Sequence, residues 1–100
     1  MNIYLIYLVS GQVIIAKEDP NYVNNSELLE LIDPYEIMAT PNATNGRLHI
    51  NLLAFGNMFG AFPKLETLSL NKNHYFKAVQ APKQICDEYI KASSGIIVGS

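Results

Sequence analysis

The sequence predicts a mainly β fold: a small, strongly bent, five-stranded barrel followed by one C-terminal helix. Three observations carry that expectation. Short apolar blocks rich in β-branched and aromatic residues recur along residues 3–79. Turn dipeptides such as Ser10-Gly11 and Asn45-Gly46 separate them, and convincing helical spacing occurs only at 82–93. The 100 residues contain no linker, internal repeat or low-complexity stretch, and read as one domain, 1–100, with a modest core.

Residues 3–9 and 12–16 are almost continuously apolar and are split by Ser10-Gly11, which predicts a hairpin. Strands this apolar should be buried on both faces or paired against another subunit. A polar loop with Pro20 and three asparagines leads to a third strand at 28–31, which can continue past Asp33-Pro34 to Met38. Proline cannot donate to a ladder, so Pro34 should mark a bulge, a bend or an edge. A turn-rich stretch ending in Asn45-Gly46 precedes a strand-like run at 47–55, with Leu48, Ile50 and Leu52 on one face and His49 and Asn51 on the other. Strands at 65–70 and 74–79 follow, around the polar corner Asn71-Lys72-Asn73. Pro82 then opens the helix, in which Ile85 and Tyr89, and Cys86 and Ile90, lie four apart. The apolar tail Ile96-Ile97-Val98 reads as an addition to a sheet or to a neighbouring subunit.

Composition narrows the function. A net charge of −2 argues against a nucleic-acid binder that works by bulk electrostatics, and a charged fraction of 16% is low for an exposed surface. The charge is divided unevenly. Residues 1–36 carry Lys17 against Glu18, Asp19, Glu27, Glu30, Asp33 and Glu36, whereas the six remaining bases lie at 37–100 with Glu66, Asp87 and Glu88. The single cysteine favours a reducing compartment. The apolar start lacks the positive region of a signal peptide, and no run approaches a membrane span of about 20 residues. A cytoplasmic protein with no membrane partner is expected.

The order of these parts resembles the Sm-like (LSm, Hfq-like) family. Leu8-Val9-Ser10-Gly11-Gln12-Val13 resembles its first corner, and Asp19-Pro20-Asn21-Tyr22-Val23-Asn24 occupies the place of its RNA-contacting loop. Leu29-Glu30-Leu31-Ile32-Asp33 resembles its third strand, and Leu68-Ser69-Leu70-Asn71-Lys72-Asn73-His74-Tyr75 its closing segment. Bacterial members carry a lysine and a histidine in that segment, as Lys72 and His74 do here. The runs 7–16 and 31–38 and the final helix are similar in particular to Sm-like proteins of marine phages, which implies a cyanophage origin and a host-cell cytoplasm. The chain departs from the family pattern in lacking an arginine-glycine pair at 71–72, in placing its helix last, and in the length of its variable segment at 40–64.

The resemblance implies a homo-oligomeric ring, closed by pairing of the 65–70 strand of one subunit with the 74–79 strand of the next. It also implies single-stranded RNA as the partner at the ring pore. Lys72 would meet phosphate, Asn73 a base edge and His74 a base face, with Asn71 in the same corner, Asn21, Tyr22 and Asn24 in support, and Tyr22 stacking on a base. Read without the family, Asn71-Lys72-Asn73 is also an ordinary solvated turn. Met58, Phe59 and Phe62 form an apolar cluster that either caps an open end of the barrel or makes a partner-binding patch. The alternative function is a structural or protein-interaction ring with no RNA role.

No enzyme is expected, and no small-molecule substrate, cofactor or metal. His49, His74 and Cys86 lack metal-ligand spacing, and Cys86 reads as plain packing in phase with Ile90. Asp33 and Glu36 read as an exposed bend rather than as a tuned acid pair.

Overall fold

The apolar runs at the start of the chain pair as expected. In a computed structural model, which describes residues 2–21, 27–41, 44–55 and 66–94, β1 (Ile3–Leu8) and β2 (Val13–Glu18) form an antiparallel hairpin. Its corner is closed by hydrogen bonds from Leu8 N to Gln12 O at 2.9 Å and from Gly11 N to Leu8 O at 3.0 Å. Gly11 takes a φ of 95°, a region that a side chain would strain. β3 (Leu28–Pro41) follows on β2, then β4 (Leu48–Ala54), β5 (Thr67–Asn71), β6 (Tyr75–Gln80) and α1 (Lys83–Ser94).

These six strands form one open antiparallel sheet in the order β4-β3-β2-β1-β6, with β5 also on β3. The strand-like run expected at 47–55 forms β4, which makes six strands where the expected barrel had five. β4 and β5 lie end to end along the same side of β3. β4 pairs with its second half (Tyr35↔Ala54 to Pro41↔Leu48) and β5 with its first (Leu28↔Asn71 to Ile32↔Thr67).

A bulge in β3 makes this arrangement possible. Against β2 the register runs from Ile15↔Tyr35 to Lys17↔Ile32, so β3 spends one more residue than its partner. Asp33 adopts a φ of 50°, which aspartate tolerates better than most residues, and Pro34 is fully buried beside it. The bulge hands the outer side of β3 from one strand to the other. Asp33 N donates to Glu66 O and Pro34 O accepts from Phe55 N, both at 2.9 Å. Residues 55 and 66 therefore bracket the bulge. The extra residue also exchanges the faces of β3. Leu29 and Leu31 join Ile6, Leu8, Ile14, Ala16 and Leu70 on one face, whereas Tyr35 and Ile37 join Leu5, Ile15 and Tyr89 on the other. β1 and β2 are thus buried on both faces, which explains why their sequences do not alternate.

The second face is covered by α1 through Ile85 and Tyr89. Tyr89 is fully buried. Its hydroxyl donates to Asp33 O at 2.7 Å, its ring meets Tyr35 edge-on at 5.7 Å, and Lys17 Nζ lies 5.7 Å from the ring centre. Tyr35 in turn donates to Ala92 O at 3.2 Å. The expected Cys86–Ile90 stripe is not the packed one: Ile90 is exposed, and the half-buried Cys86 lies 3.3 Å from Ala81 O. On β4, Leu52 packs against the second cluster while Ile50 is exposed, so that strand is buried only near the bulge. Asp33 is not an exposed bend either. It is half-buried and 3.4 Å from Lys17 Nζ. Among the described residues no helix is long and apolar enough to cross a membrane.

Two outcomes follow from the bulge and its tyrosine. Asp33→Val should cost about 1–2 kcal/mol in urea unfolding, because a β-branched residue resists positive φ, whereas Asp33→Asn should cost less. Burial, with the Asp33 charge and Tyr35 adding to it, raises the Tyr89 hydroxyl above the ordinary tyrosine value. The unfolded chain therefore releases this proton near pH 10 while the folded chain keeps it. The stability it contributes is complete below that pH and is lost as pH rises toward the folded value. Tyr89→Phe should lose about 1 kcal/mol at neutral pH and show a weaker decline than wild type above pH ~10.

Candidate nucleic-acid interface

The corner at 71–74 is built by the exit of β5 and the entry of β6. Asn71 sits opposite Leu28 on β3, and Tyr75 opposite Leu8 on β1, so the corner bridges two strands that do not adjoin in the sheet. Local bonds close it. His74 N donates to Asn71 O at 2.8 Å, Asn73 N to Asn71 Oδ1 at 3.1 Å and Asn71 N to His74 Nδ1 at 3.2 Å. Asparagine suits this position because its side chain substitutes for a backbone acceptor. The Asn71 side-chain oxygen and His74 Nδ1 are thus engaged in shaping the turn. Acceptance at Nδ1 leaves the ring proton of neutral His74 on Nε2.

All four residues, Asn71, Lys72, Asn73 and His74, are exposed. Lys72 has a counter-ion that the sequence did not announce. Its Nζ lies 2.9 Å from Glu27 Oε1, and its backbone N donates to Glu27 O at 3.2 Å. Glu27 is 45 positions away in the chain and ends the loop that follows β2, so the structure does bring the exit of that loop to the corner. Asn21 lies at the start of the same loop, exposed, with its N–H donating to Asp19 Oδ1 at 2.8 Å. No hydrogen bond among the described residues joins it to the corner. Tyr22 and Asn24 lie outside the described residues, as do Met58, Phe59 and Phe62.

The first corner reaches the same place. Val9 N donates to His74 O at 2.9 Å, and Val9, Ser10 and His74 rim an apolar cavity of about 360 Å³ floored by Leu8, Leu68 and Leu70. The corner therefore combines an exposed cation, two asparagines, an imidazole and an adjoining apolar hollow. Such a set can meet phosphate and one face of a planar base. Hydropathy pattern could not have revealed the hollow, because its walls come from four separate segments.

Asn71→Ala removes the acceptor for Asn73 N–H. Thermal unfolding should show a loss of about 1 kcal/mol, and amide exchange at Asn73 should quicken. Comparison with protein-family models and with curated proteins returns no match for this chain.

Proposed function

We propose that this chain is an Sm-like, ring-forming protein without enzymatic activity, which binds single-stranded RNA at the 71–74 corner. The observation that carries this reading is the position of the corner between two strand edges. Among the described residues, β5 pairs only with β3 and β6 only with β1. An unpaired edge is a template for another strand. Two different edges on one chain favour head-to-tail pairing, which closes into a ring when the rotation permits. Each 71–74 corner would then stand beside the next, and Lys72 would recur around a common axis. That repetition supplies local positive charge to a chain whose net charge is −2. In the same reading, β4 and β5 together take the place of the family's fourth strand, and the bulge at Asp33-Pro34 supplies the bend of a barrel. A phage origin and a role in phage or host RNA regulation within the host cytoplasm rest on the resemblance alone.

The Lys72–Glu27 pair favours a second reading, a protein-interaction ring with no RNA role, because Glu27 offsets the corner's cation. Both side chains are more than half exposed, and an exposed pair is worth only about 0–1 kcal/mol. RNA phosphate can therefore displace Glu27 at small cost.

Titration with short uridine-rich and adenine-rich RNAs, at low and at physiological salt, separates the two. Under the RNA reading, binding is saturable and persists at physiological salt. It weakens about tenfold in Lys72→Ala and strengthens in Glu27→Gln, which frees the cation. Absence of binding even at low salt would discard the RNA role and leave the protein-interaction ring.

A further inference from the structure

Phe76 is the most exposed large apolar side chain among the described residues, at 70% of its surface. It stands at a bulge in β6, where Tyr7↔Lys77 gives way to Leu8↔Tyr75, and its ring leans on Tyr7 with centres 6.1 Å apart. Phe76 thus lies on a strand edge rather than over the core. Lys77 is exposed beside it and shares a face with Tyr7, the face that α1 covers elsewhere.

The other free edge carries the opposite charge on the same face. Leu68 and Leu70 of β5 point to the first cluster, so Ser69 points to the second face. Glu30 lies opposite Ser69 on β3 and accepts a hydrogen bond from its hydroxyl at 2.6 Å. A sheet continued from β6 of one copy into β5 of the next keeps its faces aligned. Lys77 of one copy and Glu30 of the next then lie on one face, with Phe76 beside them over exposed Thr67 and Ser69.

Resting on the ring reading above, we infer that Phe76 and Lys77 are the side chains that recognise a second copy of this chain. The surface they recognise is that of Thr67, Ser69 and Glu30. Phe76 supplies apolar area, as aromatic anchors do at interfaces, and the Lys77–Glu30 attraction selects β5 over the chain's other edges. Only the charge of Glu30 is needed, so its bond to Ser69 is compatible with the contact.

Charge exchange tests this inference. The masses of wild type, Lys77→Glu, Glu30→Lys, the double variant and an equimolar mixture of the two single variants are measured by light scattering after size exclusion. The expected result is an assembled wild type, with each single variant dissociating at concentrations at least tenfold higher. The double variant should reassemble, because it restores opposite charges at every junction, and the mixture should regain assembly wherever the two single variants alternate. Phe76→Ser should also weaken assembly, and at 70% exposure its loss leaves the fold intact. If wild type and both single variants assemble alike, the contact is wrong and edge pairing stands. If single variants dissociate and the double variant does not reassemble, Lys77 and Glu30 do not face each other and the inference falls. A monomeric wild type at every concentration would overturn the ring reading together with it.

Discussion

The extra residue at the middle of β3 is the constraint on which the remaining architecture depends. A strand of 14 residues without interruption would keep one side-chain parity and one hydrogen-bonding partner along each edge. Asp33 breaks both regularities. Its positive φ moves Tyr35 and Ile37 to the face opposite Leu29 and Leu31, and its amide ends the pairing with β5 just where Pro34 O begins that with β4. The carbonyls of Ile32 and Asp33 at the bulge lie within reach of the Tyr89 hydroxyl. One local backbone irregularity thus joins the two clusters, the strand exchange and the seating of the helix.

The candidate site inherits its position from that bulge. β5 begins at Thr67 because Glu66 is pinned to Asp33, and four residues later it delivers Asn71 to the level of Leu28. There the backbone and side chain of Glu27 receive Lys72. The turn itself is satisfied by its own asparagine and histidine, so its shape does not depend on a ligand. Its chemistry is that of a preformed surface, in which a counter-ion can be exchanged more cheaply than a fold can be changed.

A small domain must manage the edges that its described residues leave without a partner strand. β5 and β6 are short, at five and six residues. Edge strands of solitary domains are usually blunted by charge, proline or cover. Here β6 instead presents an exposed phenylalanine with one lysine. That contrast is the physical ground on which the proposed ring reading places another strand there.

Much of the fold was legible in the sequence. Residues 3–16 announce a doubly buried hairpin, Pro34 a bulge, bend or edge, and Pro82 the start of the helix, because each signal is local. The corner at 71–74 was legible for the same reason, since asparagine and lysine between two apolar alternations have few other uses. Long-range relations were not. Residues 47–55 read as strand-like, yet the strand count missed that β4 and β5 share one side of β3, a relation that no local pattern carries. Helical spacing offered two stripes, Ile85–Tyr89 and Cys86–Ile90, and only the bulge carbonyls decide which one faces inward. Glu27 and Lys72 carry no mutual signal across the chain, and their pairing exists because β3 and β5 are in register. By itself, then, the sequence determined which segments are strand, turn and helix, for these depend on near neighbours. The tertiary structure alone decided which edges are free and which charge answers which, for these depend on where one additional residue bends a strand.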